Sequence, residues 1–416
     1  MEMTRPTPRT LPILLGASVL LSLSMGMRQT IGLLVGPMTR DLGLLAADVT
    51  FAVALQNITW GITQPFVGAI ADRYGVRPVT MVGSLLLAGG MALAATAQGW
   101  WALTIGLGPM IGVALSCTAM SMAMSSSARA APENKRSLVL GVVSAAGSVG
   151  TLVIAPLVQS VSGGQGWRAA LFVFVALALV MLPAAFVTGN VDRMPRRASV
   201  GAGAGAVTLG ATLRLAAVNR PFIVLSLAYF VCGLQLVFLT THLPTYLALC
   251  GMDPMLGAEA LSVIGGCNVI GSWLFGWLGG KYPKHILLGM IYMLRSTAIA
   301  AYFVTPVSPG STLVFAAMMG LLWLGVVPLV TGLIAEGFGV RFMATLLGVA
   351  FFSHQLGSFL GAWAGGLIYD AMGSYERAWQ GAVAIGLIAG AVQITFGAPG
   401  GRVKDDGVPE GVPAPG

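Results

Sequence analysis

Gly68-Ala69-Ile70-Ala71-Asp72-Arg73-Tyr74-Gly75-Val76-Arg77 joins two long apolar runs, 49–71 and 78–97. The glycines permit a tight turn between closely approaching helices, and Asp72 with Arg73 and Arg77 can pair across neighbouring helix ends. Runs of about 20 apolar residues rise far enough, at about 1.5 Å each, to cross a hydrocarbon core of about 30 Å. A short charged turn between two of them reads as the point where paired bilayer-spanning helices meet the membrane surface.

The same pattern repeats in both directions from this turn. Twelve spans are predicted, at 11–38, 49–71, 78–97, 100–126, 137–161, 168–189, 221–248, 257–280, 285–304, 311–335, 342–369 and 378–397. Composition agrees: 56% of the 416 residues are hydrophobic and 9% are charged, against about 25% charged in a soluble chain. A soluble globular enzyme is excluded, and the fold class is all-α integral membrane. The longest polar interval divides the spans into two sets of six. The expected organisation is an N-terminal segment 1–10, a six-helix half 11–189, a central loop 190–220, a second half 221–397 and a Gly/Pro-rich, disordered tail 398–416.

Arg5 and Arg9 ahead of an apolar run mimic a secretory signal, but the run continues past Gly26 to Pro37 with no small-residue cleavage site, so it reads as the first span. Of the 22 Lys and Arg, 17 fall in alternate loops with both termini, and three, Arg40, Arg168 and Arg377, fall on the other side. The positive-inside rule therefore predicts cytoplasmic termini. The net charge of +8 is thus an orientation signal and calls for no nucleic-acid partner. Cys117, Cys232, Cys250 and Cys267 lack metal or disulfide spacing and read as small apolar-run residues.

The halves look like copies of one another. Gly26, Arg28 and Pro37 recur 207 residues later as Gly233, Gln235 and Pro244, and Gly68 and Gly75 recur after 208 as Gly276 and Pro283. A nearly constant offset argues for a parallel duplication around a central pathway.

The 68–77 turn resembles the G-x-x-x-D-R-x-G-x-R signature of the major facilitator superfamily, with a degenerate echo from Gly276 to Lys284 that has Gly280 in place of the acid. That resemblance implies two pseudo-symmetric six-helix halves that rock around a shared site. Three stretches are similar to bacterial relatives of the monocarboxylate transporters: 26–30 leading to Pro37 and Asp41, 56–61 leading to Pro65, and Thr241 to Tyr246. The family places a basic residue where Arg28 stands. It also carries an Asp and an Arg on the eighth helix, where this chain has Asn268 and Ser272. The departure leaves proton coupling and substrate identity open.

Arg28 lies deep in its span, where an arginine costs about 2.5–3.5 kcal/mol on insertion scales. All 14 acids map to loops, tails or span ends, so an external anion is the natural partner, gripped by two parallel hydrogen bonds. Backbone carbonyls or snorkelling are the competing account. Arg295 is equally deep, with a structural role beside the substrate role. Gln56, Trp60 and Gln64 share a helix face and suit a wet cavity or a packing face, and Asn57 points to the neighbouring face. Gln235, the counterpart of Arg28, is expected to approach the pathway from the other half. His354, ahead of Gly357, Gly361 and Gly365, would take a proton, donate to an anion, or simply be bonded in the core. His242 with Tyr246 suits an outer gate or a structural cap.

The candidate substrate residues are therefore Arg28, Gln56, Asn57, Trp60, Gln235, His354 and Arg295, and the candidate gating residues are Gly68, Asp72, Arg73, Gly75 and Arg77. The expected function is secondary active or facilitative transport of a small organic anion, a monocarboxylate by resemblance, with a proton or counter-anion as coupling partner. No ATP-binding G-x-x-x-x-G-K-[ST] loop occurs, and no cofactor or metal is called for. The expected setting is a monomer in a plasma membrane, a bacterial inner membrane by resemblance. An exporter of apolar or drug-like compounds and a transporter-like sensor without net flux remain as alternatives.

Overall fold

The structure, a computed structural model, describes residues 10–132, 136–194, 214, 216–338 and 343–399. The N-terminal arginines Arg5 and Arg9, most of the central loop and nearly all of the tail lie outside those residues. The described chain is helical throughout. Its helices are α1 Thr10–Thr30, α2 Gly32–Leu42, α3 Ala46–Tyr74, α4 Val76–Ala95, α5 Trp100–Ile105, α6 Ile111–Thr118, α7 Met120–Ala130, α8 Arg136–Gln165, α9 Trp167–Thr188, α10 Arg220–Leu249, α11 Pro254–Leu278, α12 Lys284–Val304, α13 Pro309–Trp323, α14 Val326–Phe338, α15 Met343–Met372 and α16 Glu376–Phe396.

These form twelve rods among the described residues, because three rods are interrupted where a single span is predicted. The first breaks at Ile31. Thr30 Oγ1 bonds back to the carbonyls of Gly26 and Met27, and Leu34 N closes on Ile31 O, only three residues away, at 2.9 Å. The fourth has a π-turn over Gly106–Met110, where Pro109 lacks an N–H to donate, and then an extended residue at Ala119. The tenth breaks between Trp323 and Val326.

Ten rods are long and apolar enough to cross a membrane on that basis alone. The other two, α3 and α15, fall short because of Gln56, Asn57 and Gln64 on one and His354 and Gln355 on the other. These two least apolar rods pack along each other between the halves. Polar residues in lipid-depth helices belong where they face protein or a wet cavity, and that is where both helices stand.

The repeat is visible in the packing. Gly26 of α1 abuts Gly150 of α8, and Gly233 of α10 abuts the His354 carbonyl of α15, so the first and fifth rods of each half meet at matching glycines. Between halves, α3 meets α15, α8 meets α11, and α2 meets α10. The hydrogen bonds that join the halves run from midplane to the end opposite the 68–77 turn. Ala46 and Ala47 donate to Asp370, Ser262 donates to Leu152 O, Asn268 donates to Ser148, and Gln355 donates to Asn57 O.

Candidate functional site

Arg28 lies just before the tightened turn at Ile31, where the backbone itself stays helical with φ −56° and ψ −33°. From there Arg28 Nη2 donates to Asn57 Oδ1 at 2.6 Å, and its guanidinium carbon lies 5.1 Å from the centre of the Trp60 ring. Asn57 is held in turn by its own Nδ2 bond to Val53 O at 2.7 Å. Trp60 is oriented by Nε1 donating to Gln64 Oε1 at 2.7 Å, while Gln64 Nε2 donates to Ser121 Oγ. Phe351 meets the Trp60 ring edge to face at 5.2 Å, which brings the second half to the site.

Gln56 is 1% exposed, yet neither its Oε1 nor its Nε2 has a hydrogen-bond partner. Arg28 Nε is also unpartnered. Leaving such groups unpaired costs about 1–3 kcal/mol each, so the amide calls for a partner from outside the protein, a water or a ligand. Both residues line one pocket with Gln29, Ile31, Gly32, Val53, Asn57, Val237, Thr240 and Thr241, a wall contributed by both halves and free of acids. Its volume of about 10 Å³ admits roughly one water, so anything larger requires the halves to move.

His354 reaches the same centre indirectly. Its Nδ1 lies 3.1 Å from Gln355 Oε1, Gln355 Nε2 donates to Asn57 O at 3.1 Å, and Asn57 accepts from Arg28. A chain of hydrogen bonds therefore joins Arg28 in one half to His354 in the other. Tyr229 and Phe351 flank the imidazole at 4.7 and 6.3 Å between ring centres.

Trp60 and His354 stand beside the pocket without lining it, and Gln235 and Arg295 lie away from it. Gln235 Nε2 donates to Ser296 Oγ at 3.0 Å and to Ala382 O at 2.9 Å, on α12 and α16 of its own half, while its Oε1 has no partner. The tightened turn after Arg28 has no copy in α10, which runs unbroken from Arg220 to Leu249. Arg295 is 0% exposed and donates through Nη2 to Leu322 O at 2.7 Å and Trp323 O at 3.4 Å. These are carbonyls freed where α13 ends, so Arg295 pins the broken tenth rod and does not face the cavity. His242 is likewise occupied, between Tyr375 Oη at 3.1 Å and Ala362 O at 2.7 Å.

At the other end, the 68–77 turn is organised by a residue the signature does not contain. Asp192 accepts from Val76 N at 2.8 Å and Arg77 N at 2.9 Å, capping α4, and lies 3.8 Å from Arg129. Arg77 Nη2 donates to Asn190 Oδ1 at 2.7 Å. Gly75 has φ +101°, and a Cβ there would lie 2.7 Å from Asp192 Oδ2, so both backbone and space demand glycine. Asp72 and Arg73 are exposed, Arg73 lying over the Tyr74 ring at 5.3 Å, and a Cβ on Gly68 would meet nothing within 4 Å. Gly75 and Arg77 are thus gathered around Asp192, whereas Gly68, Asp72 and Arg73 stand free of it.

Sequence reasoning passed over Asp192, Gln355 and Asp370. Asp192 and Asp370 are acids at span ends, and only the fold shows that each caps a helix from another rod.

Known proteins place this architecture. The fold matches a solved D-xylose-proton symporter with a TM-score of 0.74 at 15% identity, covering 94% of this chain and 98% of that one. Monocarboxylate transporter 13 of Rattus norvegicus is 27% identical over 357 residues, 84% of this chain and 80% of its own length. An uncharacterized MFS-type transporter of Bacillus subtilis (strain 168), YcxA, is 23% identical over 333 residues, 79% of this chain and 80% of its own. The sequence profile of the Major Facilitator Superfamily matches residues 17–362. The chain belongs to the major facilitator superfamily and is a multi-pass membrane transporter rather than an enzyme.

Proposed function

We propose that the protein carries small organic anions, monocarboxylates foremost, by alternating access, with Arg28 as the carboxylate anchor. The observation that carries this reading is the pairing of an incompletely satisfied Arg28 with the wholly unpartnered Gln56 in one acid-free pocket between the halves. A carboxylate would take bonds from both, whereas an apolar cargo would leave the amide unpaired and a cation would meet Arg28. The similarity to monocarboxylate transporters 13 and 11 favours the same substrate class. His354, linked to Arg28 through Gln355 and Asn57, is the proposed proton site, and a counter-anion is the alternative coupling partner. The basic end is taken as cytoplasmic and the membrane as a bacterial inner membrane, so the conformation is closed outside.

The test is uptake of labelled acetate, lactate, pyruvate and oxalate into proteoliposomes. Arg28→Ala is expected to abolish saturable uptake while the protein stays folded by circular dichroism; undiminished uptake sinks the anchor. His354→Gln is expected to flatten the pH dependence of uptake, and a preserved pH profile removes His354 as the proton site. Counterflow of labelled substrate separates transport from ligand sensing.

A further inference from the structure

A second cavity lies beyond the pocket, toward the end opposite the 68–77 turn. Its volume is about 330 Å³, within the range of small-molecule sites, and its wall includes Arg40, Gln159, Ser162 and Trp167 of the first half with Thr245 and Pro254 of the second. Between the two spaces the halves touch at Gly32. Gly32, just past the break in the first rod, abuts the Thr240 carbonyl so closely that a Cβ on it would overlap that oxygen. Gly32 and Thr240 line the inner pocket, and Leu33 and Pro244 line the outer cavity. The same rod therefore presents one arginine on each side of a seal, Arg28 inside and Arg40 outside.

The charge of Arg40 is uncompensated among the described residues. Its neighbour Asp41 is taken up by Arg168 and by Trp167 Nε1, which donates at 3.0 Å. Asp253, beside Pro254, is occupied in accepting from Met255 N at 2.7 Å. Among the described residues no Asp or Glu lines the cavity, while Gln159, Ser162 and Thr245 line it with neutral polar groups. Arg40 is itself exposed at the cavity, and a cleft lined by one sign of charge concentrates anions.

We propose that this cavity is an outer waiting site for the transported carboxylate, with Arg40 as its charged contact, from which the anion passes to Arg28 when the Gly32–Thr240 seal parts. The inference rests on the anion-transport reading above, and deepens it by assigning a second subsite on the same path.

The experiment uses the full-length protein in vesicles of known sidedness, with labelled acetate, lactate and pyruvate as probes. Arg40→Gln is expected to raise the half-saturating concentration about fivefold more from the cavity side than from the basic end, and to weaken its dependence on ionic strength. Arg40→Lys is expected to restore most of the loss. A transporting Arg40→Gln protein whose half-saturating concentration rises, relative to the parent, by the same factor from the two sides, or whose salt dependence equals the parent's, overturns the waiting site. In that case Arg28→Ala still abolishes uptake and the primary reading stands. If none of the probes is taken up by the parent protein, both readings fall.

Discussion

Asp370, near the end of α15, accepts backbone hydrogen bonds from Ala46 N at 3.1 Å and Ala47 N at 2.7 Å at the start of α3. An acid in the last turn of its own helix faces the unfavourable end of that dipole; at the first turn of another helix it faces the favourable one. Asp370 therefore gains only while the two halves touch, which makes it a clasp on the closed end. Asp370→Ala is expected to weaken closure by about 1–2 kcal/mol, roughly a tenfold shift toward the open form. The check is labelling of a Gln29→Cys reporter, in a background without native cysteines, by an impermeant maleimide added from that end. Labelling no faster than in the parent would remove Asp370 from the clasp.

Gly32 sets the seal by having no side chain. Because a Cβ there would overlap the Thr240 carbonyl, Gly32→Ala is expected to exclude the closed conformation while leaving each half intact. Helix content should stay at the parental value, and spin-label distances between α2 and α10 should lengthen to a single open population. Transport is expected to fall at least tenfold, since one of two required states is gone. Retention of a closed population in the distance distribution contradicts the seal.

Asn268 holds two things at once. Its Oδ1 accepts from Leu324 N at 2.8 Å, where the tenth rod is broken, and its Nδ2 donates to Ser148 Oγ at 2.9 Å across the halves. Arg295 satisfies the carbonyls on the other side of the same break. Asn268→Leu strands a backbone donor and is expected to destabilise by about 1–3 kcal/mol, whereas Ser148→Ala loses one neutral bond, about 0.5–1.5 kcal/mol. Thermal unfolding in detergent should rank Asn268→Leu well below Ser148→Ala. The reverse ranking would show that the break does not depend on Asn268.

The twelve rods were legible because apolar length and charged punctuation are local properties, read one span at a time. Arg28 was legible for a related reason: its burial cost has no acid in the sequence to offset it. What stayed hidden depends on rotation and on partners remote in sequence. The duplication aligned Gln235 with Arg28, but only Arg28 is followed by a tightened turn, and the equivalent positions face different neighbours. The signature turn named the loop and omitted Asp192, which lies 115 residues beyond Arg77 yet caps α4. Asp370 and Ala46 are 324 residues apart, and no spacing rule connects them.

Gln56 provides a test in which stability and function move in opposite directions. Its amide is buried with neither atom bonded to another protein group, so the protein itself leaves its desolvation uncompensated. Replacing it with an apolar side chain of similar length removes that cost: Gln56→Met is expected to stabilise the ligand-free protein by about 1–3 kcal/mol. If the amide is reserved for a carboxylate, the same substitution should abolish most of the thermal shift that acetate, lactate or pyruvate gives to the parent. A purely structural glutamine would behave otherwise, with ligand response preserved whatever happened to the melting temperature. A higher melting point together with a lost ligand shift is thus the paired outcome that only a substrate-facing Gln56 produces, and a full ligand shift in Gln56→Met would take the residue out of the site.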